Sequence, residues 1–282
     1  MENKLKTLTI VGASGFLGRS IVDYAKEKKL LKWKINKITS ISRRRIYEKS
    51  KKNLYLKYIT EDIKKLKKLP KTDYIIYAVN SSNNKNDKNA LKNFICMLKK
   101  LPKKTKILFT SSGAVYGKIK SKKKYSKSKI LTEKEFKKLG KQGYKVSIAR
   151  LFTFIGKRIL TEKKYAISDF IKAGRFHKKI VVKSKFKVYR SYMHSYDMVK
   201  WLLTILVNSN IKCPIYNVGS NENISLQNLA RIIGDIFNKP VEIKKISSKK
   251  IERYAPSIKK AQKELKLKIN YNLRTSLYSI IK

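Results

Sequence analysis

The sequence predicts an α/β protein, a doubly wound and largely parallel sheet with a smaller lobe built mostly from its C-terminal part. Three observations predict it. Apolar runs rich in Ile, Val, Leu and Tyr alternate with longer amphipathic stretches up to Arg150, the pattern of buried parallel strands joined by helices. The first of these runs enters three glycines at three-residue spacing, Gly12, Gly15 and Gly18, and helical periodicity follows at once. Beyond Arg150 the alternation becomes irregular, which is where a second lobe would be built.

In chain order the expected strands are Leu8–Val11, Ile38–Ser42, Leu54–Ile59, Tyr74–Val79, Ile107–Ser111, Val146–Arg150 and Ile215–Val218. Between the first two, Phe16, Leu17, Ile21 and Ala25 recur at helical spacing and should pack a helix on the sheet. Later helices are expected around Ile167–Ala173, Met198–Asn208 and Leu226–Phe237. Polar clusters at Asn80–Asn89 and Lys118–Lys124 read as loops.

Composition narrows the class of protein. At 282 residues with 42% hydrophobic and 10% aromatic residues, the chain can bury a full core. Its formal net charge of +52 invites a polyanion-binding reading, as an RNA-binding or other polyanion-binding protein. The texture of that charge argues otherwise: only 11 of the 70 basic residues are Arg, and the lysines are spread through every segment. Nucleic acid is therefore not the expected partner, although weak association with an anionic membrane is compatible with the charge. Cys96 and Cys213 stand far apart, and neither they nor His177 and His194 form a metal-ligand spacing, so no metal is expected. The apolar run Trp201–Val207 is too short to span a bilayer, and a reduced, cytoplasmic setting is expected.

The glycine loop carries the first functional expectation. In Val11-Gly-Ala-Ser-Gly-Phe-Leu-Gly18, Gly12 permits a sharp turn, Gly15 lets backbone approach a pyrophosphate, and Gly18 allows close packing of helix on strand. Ser14, Phe16 and Leu17 complete the phosphate-facing turn at the helix N-terminus. This makes the sheet Rossmann-type, with an NAD(P)-binding domain over 1–155, completed by about 191–220. The smaller substrate-binding lobe would comprise 156–190 and 221–282. At the end of the second strand an acidic residue would select NAD; Ser42, Arg43, Arg44 and Arg45 stand there instead, so NADP is favoured.

A second constellation suggests chemistry. Tyr125 and Lys129 lie at i and i+4 of a helical stretch and so share a face, while Ser112 ends the preceding strand. A phenol ionises near pH 10 unaided, and a fixed cation beside it favours the phenolate, which suits a general acid or base near neutrality.

These residues resemble the extended short-chain dehydrogenase/reductase family, and within it the NAD-dependent epimerase/dehydratase group that modifies nucleotide sugars. Val11–Gly18 is similar to its cofactor loop, Ser111-Ser-Gly-Ala-Val-Tyr-Gly117 to its catalytic serine strand, and Tyr125-Ser-Lys-Ser-Lys129 to its active-site helix. The resemblance implies that Ser112, Tyr125 and Lys129 form the catalytic triad, with Lys129 also touching the nicotinamide ribose. It implies an adenine contact at Asp62 and Ile63, a cofactor contact at Ala78, substrate-phosphate contacts at Arg190 and Arg253, and a homodimer. Dehydratases of the group carry an acidic pair after the catalytic Ser or Thr, whereas Gly113 and Ala114 occupy those positions in this chain. The expected reaction is therefore 4-epimerisation or reduction of a 4-keto sugar. The stretch from Ser112 to Tyr125 is shorter than the group's usual length, and Ser257 replaces an aspartate of its tail motif.

Overall fold

The structure is a computed structural model that describes residues 5–27, 30–46, 54–79, 85–117, 123–161 and 165–281. In chain order the first part holds β1 (Lys6–Val11), α1 (Phe16–Glu27), β2 (Ile35–Ser42), β3 (Tyr55–Thr60), β4 (Tyr74–Tyr77), α2 (Lys85–Leu98), β5 (Lys106–Ser112), α3 (Lys123–Lys141) and β6 (Lys145–Leu151). The second part holds β7 (Phe154–Ile155), α4 (Ala166–Phe176), β8 (Ile180–Val182), β9 (Lys187–Arg190), β10 (Met193–His194), α5 (Ser195–Val207) and β11 (Ile215–Val218). It closes with β12 (Ile224–Ser225), α6 (Leu226–Phe237), β13 (Val241–Ile243), β14 (Ile251–Tyr254), α7 (Lys259–Leu265) and α8 (Leu273–Ile281).

Seven strands form one parallel sheet in the order β11-β6-β5-β4-β1-β2-β3, flanked by helices. All seven expected strands are found, each within a few residues of its expected bounds. The core explains the register. Ile75, Ile107, Phe109, Val146 and Ile148 from the strands pack with Phe94 and Leu98 of α2 and Phe136 and Leu139 of α3. Phe109 and Phe136 stack in parallel with centroids 4.7 Å apart, and Tyr77 meets Phe94 at 4.4 Å.

Two expected loops are partly helical. Residues 80–84 and 118–122 lie outside the described residues, but 85–89 form the first turns of α2, and Lys123 and Lys124 open α3. The polar composition misled because a helix on a sheet needs only one buried stripe. In α2 that stripe is Ala90, Phe94, Met97 and Leu98, which leaves Lys88 and Asn89 exposed.

The chain divides into two compact units, 1–151 with 199–216 and 152–198 with 217–282. Residues 152–155, 191–198 and 217–220, placed by sequence with the first unit, fall in the second, where β10 pairs with β7, Met193 opposite Phe154 and His194 opposite Ile155. Within the second unit, β8 pairs with β13 and β9 lies between β12 and β14. Asp197 is fully buried and accepts the backbone N–H of Asn270 (2.7 Å) and of Tyr271 (3.0 Å), which fixes the tail against the start of α5. His194 stacks on Tyr271 at 4.2 Å and accepts the Tyr196 N–H at Nδ1, so its role is to hold this tail.

Among the described residues no helix is long and apolar enough to cross a membrane. Cys213 is buried beside Phe136 in the core, and burial pushes its thiol pKa up to about 12, whereas Cys96 is exposed on α2. Native protein is expected to take up one equivalent of a maleimide at neutral pH and a second only after denaturation. Mass spectrometry of the labelled peptides checks this, and rapid labelling of Cys213 would contradict its burial.

Candidate active site

A doubly wound sheet binds ligands at the carboxyl ends of its strands, where the strand order reverses. In this sheet that point lies between β1 and β4, because the chain builds outward from β1 through β2 and β3 on one side and through β5 and β6 on the other. The glycine loop follows β1 directly, and Ala78 follows β4.

Each glycine has a different physical reason. Gly12 has φ +89°, and a Cβ there would sit 2.7 Å from the Ala78 carbonyl oxygen, so loop and β4 touch backbone to backbone. At Gly18 a Cβ would lie 2.5 Å from the Ala13 Cα, which fixes the close approach of α1 to the loop. At Gly15 it would meet only the Gly12 carbonyl oxygen at 3.7 Å, so this position is open for a ligand to approach backbone closely. The loop is hung from β2 by the N–H groups of Gly12 and Ala13, which both donate to the Ile41 carbonyl at 2.9 and 3.1 Å. Phe16, Leu17 and Gly18 form the first turn of α1, and Ser14 precedes them. An open glycine, a tight turn and a helix N-terminus together fit the pyrophosphate of a dinucleotide.

The ends of β2 and β3 line the same edge. Ser42 is buried and its hydroxyl donates to the Arg44 carbonyl at 2.6 Å, which shapes a turn that leaves Arg43 and Arg44 exposed. After β3, Asp62 accepts the Lys64 N–H at 2.9 Å, Ile63 is buried, and Asn93 of α2 donates to the Ile63 carbonyl at 2.7 Å.

At the end of β5, the Ser112 oxygen accepts the Ala114 N–H at 3.2 Å and caps the short turn Gly113–Tyr116. Helix α3 packs against that turn and against β5. On its inner face Lys129 is 3% exposed, with its ammonium donating to the carbonyls of Thr110 (3.1 Å) and Val79 (3.3 Å). The same ammonium lies 5.8 Å from the centre of the Tyr125 ring. Two strand-end carbonyls thus fix a cation beside a half-buried phenol, as the i, i+4 spacing predicts.

Sequence reasoning missed the group that braces this arrangement. Glu133, one helical turn beyond Lys129, is buried and accepts from Ser111 Oγ (2.6 Å) and, in a two-point contact, from Arg150 Nε (3.0 Å) and Nη2 (2.7 Å). This ties α3 to both β5 and β6. Hydrogen bonding to Glu133 raises the Arg150 pKa further, and the guanidinium lies 4.9 Å from the centre of the Tyr116 ring. The available signal was periodic: Tyr125, Lys129 and Glu133 repeat every four residues, a polar stripe on the buried face of a helix.

In the second unit, Arg190 on β9 and Arg253 on β14 are not brought together. Parallel pairing puts Arg190 opposite Tyr254 and Arg253 opposite Tyr189, so the two arginines project from opposite faces of the sheet. Their ring contacts agree: Arg190 lies over Tyr254 at 6.0 Å, and Arg253 over Tyr189 at 5.1 Å. Arg190 is further held by its ion pair with Glu252 and by the Tyr189 carbonyl at 2.9 Å. The two arginines expected as substrate-phosphate contacts therefore stand on opposite faces of this strand pair, a consequence of the alternation of side chains along a strand that spacing in sequence did not reveal. The same unit has a cleft of about 460 Å³ between α4 and β8, walled by Phe170, Val181 and Leu226, with Asp169 and Lys183 among its lining residues.

The sequence model of the NAD dependent epimerase/dehydratase family matches residues 8–219. The chain belongs to that family. No protein of curated function matches the sequence significantly. Among solved structures, MoeE5 in complex with UDP-glucose and NAD is 17% identical, with 98% of this chain and 97% of that one covered at a TM-score of 0.75. WbmF of Bordetella bronchiseptica, in complex with NAD+ and UDP, is 18% identical over 99% of this chain and 92% of its own, at a TM-score of 0.74. UDP-N-acetylglucosamine 4-epimerase from Methanobrevibacter ruminantium M1, in complex with UDP-N-acetylmuramic acid, is 21% identical over 99% of both chains, at 0.73.

Proposed function

We propose that this protein is an NAD(P)-dependent enzyme acting at C4 of a nucleotide-activated sugar, either as a 4-epimerase or as a 4-keto reductase. The observation that carries this reading is Lys129, buried and pinned by two strand-end carbonyls with its charge beside Tyr125. The ammonium sits 5.1 Å from the centre of the Phe109 ring and 5.8 Å from that of Tyr125, which puts a fixed charge near the phenol that a general acid or base at C4 requires.

A nicotinamide dinucleotide held by Gly12, Gly15 and the first turn of α1 would supply the hydride acceptor and donor. The chain's own residues would do the rest. Tyr125 removes or returns the proton of the sugar hydroxyl, Ser112 hydrogen-bonds that oxygen, and Lys129 steadies the charge on the phenol. Gly113 and Ala114, both buried, offer no carboxylate for the elimination of water. Arg190 is proposed to take the nucleotide diphosphate, and the cleft walled by Phe170 and Val181 the base, a suitable size for such a ligand. The proposed homodimer is assigned to the groove between α2 and α3, where Leu91, Ile95 and Leu131 meet. A monomer by sedimentation at every salt concentration would refute that assignment.

The test is turnover of UDP-, dTDP-, GDP- and CDP-sugars with NAD and NADP in parallel, with products read by NMR. An epimer formed without net change in cofactor absorbance identifies the epimerase, and stoichiometric oxidation of the reduced cofactor the reductase. Absence of turnover with every class would overturn the reading. NADP preference is proposed from the exposed Arg43 and Arg44 beside Ser42. Replacing both arginines by Ala is expected to weaken NADPH binding by about tenfold or more while leaving NADH nearly unchanged, since charge-assisted hydrogen bonds contribute about 1.5–3 kcal/mol. Fluorescence titration with both cofactors measures this, and equal weakening would exclude a 2′-phosphate site.

A further inference from the structure

The second unit presents a sheet face that has no part in the chemistry proposed for Tyr125. In the β9–β14 pair, Lys187 stands opposite Ile251 and Tyr189 opposite Arg253. Directly paired side chains project to one side of a sheet and alternate along each strand, so these four share a face. Val188, Glu252, Arg190 and Tyr254 share the other. Burial follows the same alternation: Val188 and Tyr254 are each 6% exposed, whereas Ile251 is 59% exposed and Lys187 and Arg253 are exposed.

The pattern extends past the strands. Ser247 and Ser248 both donate their N–H groups to the Lys185 carbonyl at 3.0 Å, which brings the segment carrying Lys249 alongside Lys185. The two glutamates of β13 and β14 do not neutralise this face, because Glu252 is paired with Arg190 on the opposite side and Glu242 with Lys179. An exposed Ile within a field of cations complements an anionic bilayer surface: the cations meet headgroup phosphates and the apolar side chain enters the boundary. Single-stranded RNA would instead need open aromatic faces on which bases stack. On this face the Tyr189 ring is already covered by Arg253 at 5.1 Å.

We propose that the outer face of β9 and β14, formed by Lys187, Tyr189, Ile251 and Arg253 with Lys185 and Lys249 at its margin, docks on an anionic lipid surface. The site is independent of the chemistry proposed for Tyr125, so its failure would leave that reading intact. The test is cosedimentation of the full chain with phosphatidylcholine vesicles, with and without about one-third phosphatidylglycerol. Near such a surface each cation is worth about a fivefold change in partition, so the Lys187→Gln, Lys249→Gln double variant should bind roughly 25-fold more weakly. Ile251→Ser should weaken binding several-fold at unchanged charge. Lys67→Gln with Lys68→Gln removes the same charge from the first unit, away from the α2–α3 groove, and should change binding less than twofold. Equal loss in the two double variants would overturn the proposal in favour of diffuse charge. Binding to polyuridylate that drops in the Lys187→Gln, Lys249→Gln variant, without vesicle binding, would overturn it in favour of nucleic acid.

Discussion

Tyr125→Phe is expected to lower kcat by roughly 10²–10⁴-fold while KM, cofactor binding and thermal stability stay close to those of the parent, the range seen when a positioned acid or base is removed. The substitution deletes one oxygen and keeps the ring against which the Lys129 ammonium rests at 5.8 Å. Lys129→Met is the informative partner because it should fail in two ways at once. It removes the charge beside the phenol, and it strips the Thr110 and Val79 carbonyls of their donor. A buried carbonyl left without a partner costs about 1–3 kcal/mol. A drop in melting temperature should therefore accompany the rate loss for Lys129→Met and be absent for Tyr125→Phe. Turnover of Tyr125→Phe within tenfold of the parent would remove Tyr125 from the chemistry.

Glu133→Ala should destabilise the fold even more than Lys129→Met. The Glu133 side chain is 5% exposed, the Arg150 side chain 20%, and the contact between them has two points. Breaking a buried pair by deleting one partner leaves an uncompensated charge and costs about 3–5 kcal/mol, far more than the roughly 0–1 kcal/mol of a surface pair such as Lys138 with Glu135. In a chain of this size that corresponds to a fall in melting temperature of roughly 10 °C. Glu133→Gln keeps an acceptor for Ser111 and Arg150 and should lose less. A fall of under about 1 kcal/mol for Glu133→Ala, measured by denaturant titration, would show that water screens the pair.

Much of the first unit was legible from sequence, for reasons that lie in particular residues. The seven strands are short apolar runs punctuated by polar residues, and two of the three loop glycines have backbone requirements that no other residue meets: a positive φ at Gly12 and a sub-contact approach to Ala13 at Gly18. Tyr125 and Lys129 were readable because a helix converts a spacing of four into a shared face. The Glu133–Arg150 contact was not, since it joins residues whose meeting depends on how α3 lies over β5 and β6. Arg190 and Arg253 show the opposite limit. Each was assigned by resemblance, but their placement depends on the register between β9 and β14, and a pairing register is not written in either strand alone.

The interleaving of the two units along the chain bears on how the protein is synthesised. β11, the strand that completes one side of the central sheet beside β6, arrives about sixty residues after β6 has left the ribosome, with the first segment of a different unit translated in between. Until then β6 is an unpaired border, and such borders recruit strands from neighbouring molecules. A fragment ending at Leu151 would carry the whole glycine loop and the Tyr125–Lys129 pair, and would still be prone to aggregate through that border. Splitting the protein for domain studies would therefore succeed better with 199–216 grafted back than with a simple truncation.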